Sequence, residues 1–173
     1  MDPGNFTLRS CAFTFDQLGN YARATEFLQL DAGSEWSTSN TIRHFRDGKL
    51  AQAREALRAQ SDRPWSRFMT ACANDPSSVN AANLSEKVSA FYLADPDAEV
   101  RFMIASDLSS CGQKELALRM LKSSIDGHYC GYMGLKNDSL WDKVRGTPEF
   151  DGIVREAKQC QDDFRAEMAK AGQ

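Results

Sequence analysis

Large apolar residues recur along the chain three and four positions apart, the spacing that lines one face of an α-helix, and glycines interrupt the runs. Leu8, Ala12, Phe15 and Leu18 form one such face and stop at Gly19. Trp36, Ile42 and Phe45 form another before Asp47-Gly48, and Leu50, Ala53 and Leu57 follow that turn. The pattern after each glycine repeats: Gly19-Asn20-Tyr21-x-x-Ala24-x-x-x-Leu28, Gly48-Lys49-Leu50-x-x-Ala53-x-x-x-Leu57 and Gly112-Gln113-Lys114-x-x-Ala117-x-x-x-Leu121. A period of this size predicts a stacked array of helix pairs, in which each unit buries its apolar face on the next.

Gly19 and Gly48 are 29 residues apart, and Gly48 and Gly112 are 64 apart, which is two intervals of 32. A further unit without the glycine is therefore expected near residues 63–95. The glycines suit the turns, because a chain leaving one helix and reversing into the next often passes through a left-handed residue. The alanines suit the crossings, because helix axes about 8–10 Å apart leave no room for a large side chain at the point of closest approach. Leu28, Leu57 and Leu121 then fill the space one turn later.

In the unit lacking the glycine, Pro64 is placed early in a helix, with Ser61 or Asp62 as its cap. Asp75-Pro76-Ser77-Ser78 breaks that helix, and a second is expected from Val79 to Leu93 with Leu84, Val88, Phe91 and Tyr92 inward. Asp95-Pro96-Asp97 opens the next unit. After Asp126-Gly127 the periodicity changes. Thr147 can cap and Pro148 fits the first helical position, while Glu149 and Asp151 favour the positive end of the helix dipole. The closing helix is expected to reach about Ala171, with Phe150, Ile153, Val154, Ala157, Cys160, Phe164 and Met168 on one stripe. It exceeds the length a repeat needs, so its tail from Phe164 on must cover a terminal face, meet a partner or protrude.

A chain of 173 residues with 42% hydrophobic and 26% charged positions can pack a core without metals or staples. Lysine and arginine number 21 against 24 acidic residues, and the segments 1–60, 61–120 and 121–173 carry net charges of 0, −2 and −1. That even balance offers no basic stripe to displace counterions from phosphates, so nucleic acid is not expected as a partner. No run approaches the roughly 18 apolar residues of a membrane span, so membrane insertion is not expected, and the N-terminus lacks a signal-peptide layout. Cys11, Cys72, Cys111, Cys130 and Cys160 are scattered without a Cys-x-x-Cys pair, which favours thiols in a reducing, cytoplasmic compartment over zinc or redox motifs. His44 and His128 lie on different repeats, without a nearby Cys or His in sequence. No metal or other cofactor is expected.

Catalysis is not expected either, since no nucleophile with its base, paired carboxylates or phosphate loop stands out. Gly131-Tyr132-Met133-Gly134 lacks the spacing and strand context of a nucleotide loop. Ser109-Ser110-Cys111-Gly112 follows a helix and coincides with the repeat turn. Asp162-Asp163 reads as a solvated face and Asp95-x-Asp97 as a helix cap.

The glycine-alanine-leucine strings resemble the tetratricopeptide repeat, a helix-turn-helix unit of about 34 residues, and residues 112–127 match it best. The segment from there to Phe150 resembles the closing element of repeat arrays in bacterial multidomain regulators. Asp2-Pro3-Gly4-Asn5 is similar to an inter-repeat junction, which suggests the end of a longer array. The resemblance implies an all-α right-handed superhelix of about four antiparallel helix pairs (5–31, 35–60, 63–94 and 97–126, within 1–127) and a closing segment, 128–173, with a terminal capping helix. It also implies a protein- or peptide-binding scaffold whose first helices line a concave groove. The groove candidates are Phe6, Arg9, Phe13, Asp16, Thr38, Ile42, Phe45, Arg67, Thr70, Glu99, Phe102 and Ser106. Their aromatics read alternatively as inter-helix core. Arg9, Phe13 and Ser39 stand where some members carry a basic clamp for a terminal carboxylate, so chaperone-tail binding is disfavoured. The alternative function is a structural module that self-associates through the terminal helix, forming a homo-oligomer, or docks within a larger bacterial protein. Gly19, Ala24, Gly48, Ala53, Gly112, Ala117 and Pro148 carry the structural pattern.

Overall fold

A computed structural model describes residues 7–30, 36–60, 62–75 and 83–171. Among the described residues all regular structure is helical and no strand occurs. The helices are α1 (Thr7–Gln17), α2 (Tyr21–Leu30), α3 (Trp36–Arg46), α4 (Leu50–Arg58), α5 (Pro64–Asn74), α6 (Leu84–Leu93), α7 (Ala98–Ser110), α8 (Lys114–Asp126), α9 (Tyr132–Asn137) and α10 (Pro148–Ala171), with a 3₁₀ turn at Ser139–Trp141. None of them is long and apolar enough to cross a membrane.

Gly19, Gly48 and Gly112 adopt left-handed backbones with φ of +74°, +70° and +79°. Each closes the preceding helix in the same way. The Gly19 N–H donates to the Asp16 carbonyl at 3.0 Å and the Asn20 N–H to the Phe15 carbonyl at 2.8 Å. Gly48 and Lys49 bond to Phe45 and His44 at 3.0 and 2.8 Å, and Gly112 and Gln113 to Ser109 and Leu108 at 2.8 and 2.9 Å. These paired bonds are Schellman closures, which satisfy the last carbonyls of a helix when the residue after it turns left-handed. A fourth such closure uses a residue other than glycine: His128, at φ +66°, donates to Ile125, and Tyr129 donates to Ser124. Gly127 instead makes room, because a Cβ there would come within 2.9 Å of the Ala98 Cβ.

The chain forms two compact units, one of the described residues up to Leu84 with Asn137–Ser139, the other of Ser85–Lys136 with those from Leu140 onward. In the first unit α1 packs on α2, α3 on α4, and α4 on α5. Ala24 and Ala53 retain no exposed surface, and Leu28 and Leu57 are buried one turn later. Ala12 joins Ala24 and Leu28 in a cluster edged by the stacked rings of Phe15 and Phe27, whose centroids are 5.4 Å apart. At α5 the cap is neither Ser61, which lies outside the described residues, nor Asp62. It is the extended Arg63, whose N–H donates to Ser66 Oγ at 3.3 Å. The reason is local: Pro64 at the first helical position forces its predecessor out of the helical region.

In the second unit α7 packs on α8, and α8 on α10. Ala117 and Leu121 are fully buried. An aromatic chain fills the interior, with Phe102 5.1 Å from Tyr129 and 5.3 Å from Trp141, and Trp141 5.9 Å from Phe150. Asp97 caps α7 by accepting the Glu99 N–H, and Thr147 Oγ1 accepts the Phe150 N–H at 3.3 Å where Pro148 opens α10. Phe91, expected inward, is 59% exposed. The inward stripe of α6 is Ser85, Val88 and Ser89, so small polar residues occupy positions that an apolar count passes over. Cys130 and Cys160 are not thiols but a disulfide, with Cα atoms 5.4 Å apart. Packing of α8 against α10 brings together cysteines that are 30 positions apart in sequence.

Candidate functional site

The groove candidates divide by unit. Phe6 lies outside the described residues, as does the side chain of Arg9. On α3, Thr38, Ile42 and Phe45 are half-buried at spacings that share one helical face. Phe13 on α1 is also half-buried, and Arg67 and Thr70 on α5 are exposed. Arg67 is held by Asp62 through two 2.5 Å hydrogen bonds, and this pair keeps the Asp62 carboxyl below its ordinary pKa. Thr70 lines a cleft of about 300 Å³ with Arg54, Leu57, Arg58 and Asn74. Arg54 reaches across from α4 to donate to the Ala73 carbonyl near the end of α5 at 3.0 Å.

In the second unit the candidates on α7 point inward. Phe102 is 3% exposed within the aromatic chain, and Ser106 is buried with its hydroxyl donating to the Met103 carbonyl at 2.7 Å. Phe102 is therefore core rather than groove, the outcome that apolar residues at helical spacing commonly meet. Glu99 is half-buried, and burial, helped by the Asp97 charge, raises its pKa.

Asp16 is a buried member of an ion network, not a surface group. Its carboxylate lies 3.3 Å from Arg46 Nη1 and 4.0 Å from Arg43 Nη2, both on α3. Arg46 also donates from Nε and Nη2 to the two carboxylate oxygens of Asp138, at 2.9 and 2.7 Å, while the Tyr21 ring stands 5.6 Å from its guanidinium carbon. Burial raises the Asp16 pKa against the opposing pull of the two arginines. For Arg46, burial works against the charge, but the Asp138 hydrogen bond and the two carboxylates outweigh it and hold the guanidinium protonated. The network clamps the C-terminal ends of α1 and α3 and anchors Asn137–Ser139: Ser139 donates to the Arg46 carbonyl at 3.3 Å and Tyr21 to the Asn137 carbonyl at 3.3 Å. Its carboxylates are engaged by guanidinium groups, which suits them to fixing helices in register.

Sequence reasoning did not find this network. Asp16, Arg46 and Asp138 carry no common spacing, and Asp138 is 92 positions from Arg46. Among the described residues no three His, Cys, Asp or Glu side chains gather in a way that could hold a metal ion. Set against known proteins, the chain matches no family model, no curated protein and no solved structure.

Proposed function

We propose that the chain is a non-catalytic scaffold that holds a peptide segment of another protein against the first helices of its first compact unit. In this reading α1 to α5 stack as tetratricopeptide-like repeats with the right-handed superhelical sense of that family. The observation that carries it is the thrice-repeated unit of a left-handed glycine, a fully buried alanine five positions on and a buried leucine four beyond that, at Gly19/Ala24/Leu28, Gly48/Ala53/Leu57 and Gly112/Ala117/Leu121. Such a unit fixes the crossing of consecutive helices and leaves the outer face of each first helix free to vary. The Asp16 clamp supports the reading by joining α1 to α3, the two helices whose faces would lie side by side in a groove. Half-buried Phe13, Ile42 and Phe45 supply apolar contact, and Thr38, Arg67 and Thr70 supply polar ends, a mix suited to peptide recognition.

A displayed random-peptide selection on the purified chain tests this. The strongest peptide is expected to bind about tenfold more weakly to Ile42→Asp and to Thr70→Arg, while Gln52→Lys on the exposed side of α4 leaves affinity unchanged. Failure to select any peptide, or equal affinity for all three variants with their melts intact, would remove the groove.

A further inference from the structure

We propose that a cleft in the second compact unit, beside the Cys130–Cys160 disulfide, docks a basic amphipathic helix of a partner protein. The cleft, of about 520 Å³, lies between the turn after α8 and the distal half of α10, with Ile125, the disulfide and Phe164 among its lining residues. Three acidic side chains on α10 also line it: Glu156, Asp163 and Glu167. Their spacings of seven and eleven residues from Glu156 place all three within an arc of about 40° around the helix axis. Beside this row stand Phe164 and Met168, 62% and 59% exposed, one turn apart. An acidic row flanked by bulky apolar side chains complements a helix that carries lysines or arginines beside leucines.

The local ion pairs leave charge available. Glu156 lies 3.2 Å from Lys122, and Glu167 lies 2.7 Å from Lys170, both well exposed and weakly held. Asp163 accepts a hydrogen bond from the neutral Gln159 amide at 2.7 Å and, among the described residues, forms no ion pair. A second copy of the chain fits the surface poorly. Two-fold pairing around Phe164 brings the acidic rows of both copies into one interface, and like charges brought together without solvent are costly. Anionic lipid is disfavoured by the same carboxylates. The disulfide ties the two walls covalently, so the cleft loses little freedom when it is filled. This surface is separate from the groove on α1 to α5, and either can fail without the other.

The test uses two labelled synthetic helices with the same leucine face, one with lysine and one with glutamate at its polar positions, titrated into the full chain by fluorescence anisotropy. The lysine peptide is expected to bind at least about tenfold tighter than the glutamate peptide, with affinity falling as salt rises. Phe164→Ser is expected to weaken binding about tenfold, and Asp163→Lys with Glu167→Lys to reverse the preference. All three positions are exposed, so unchanged melting curves verify folding. Absence of lysine-peptide binding, equal binding of both peptides, or indifference to the α10 variants would overturn the proposal. So would a concentration-dependent dimer, seen by sedimentation, that is lost in Phe164→Ser and excludes the peptide.

Discussion

Asp138 receives two hydrogen bonds from Arg46, at 2.9 and 2.7 Å, with the two side chains only 9% and 6% exposed. Removing one partner of such a pair strands the other as a buried charge, and that loss exceeds the net worth of the pair itself. Asp138→Ala is therefore expected to destabilise by about 3 kcal/mol, measured as the shift in denaturant midpoint. The double variant Arg46→Met with Asp138→Leu should recover little of that loss, because it takes from the buried Asp16 its nearer arginine. A single variant that melts like the wild type would mean that Arg46 is satisfied elsewhere.

Asp16 belongs to the same network but responds differently to pH. Its native pKa is raised above the unfolded value, so between the two values the folded state binds more protons and stability falls as pH rises through that window. Asp16→Asn removes this titration. The variant is expected to gain stability relative to the wild type as pH rises above the ordinary carboxylate value of about 4, whatever its absolute offset. The opposite slope, from paired melts across that range, would show that Arg43 and Arg46 overcome the burial cost and depress the pKa.

At Gly48, φ is +70° and a Cβ would meet nothing within 4 Å. The cost of Gly48→Ala is thus backbone strain alone, expected at about 1–2 kcal/mol, with Gly48→Asn costing less because asparagine tolerates the left-handed region. Thermal melts of the two variants check the order. An alanine variant as stable as the wild type would show that the turn relaxes to another conformation.

Those turns were legible in the sequence because each pairs a backbone demand that glycine meets best with an alanine that only a close crossing requires. Repetition at three places made the pairing visible. His128 was not legible, because a histidine in the left-handed region has no compositional marker, and its closure becomes apparent only from the bonds to Ile125 and Ser124. Phe91 was misjudged because Ser85 and Ser89, which a hydrophobic pattern ignores, take the buried face. Asp16 reads as a groove residue from its place in the pattern; the structure sets it among two arginines of α3, one of which is bonded to a carboxylate 92 positions further on. The Cys130–Cys160 bond was hidden for the same reason, since helix packing rather than short spacing brings the sulfurs together.

Ala117 has no exposed surface and sits where α8 packs on α7. Ala117→Leu is expected to destabilise by about 1–3 kcal/mol through overpacking, read from the melting midpoint. An unchanged melt would show that the crossing has spare volume and would remove the steric reading of the alanine.

The scaffold reading is tested most directly by photocrosslinking. A benzophenone side chain placed at Ile42 on α3, and separately at Gln52 on the exposed side of α4, is irradiated with the tightest peptide from the displayed selection. Crosslinking at 42 and none at 52, with competition by unlabelled peptide, is the predicted result. Crosslinking at 52 alone, or at neither position while the peptide stays bound, would contradict a groove on the first helices.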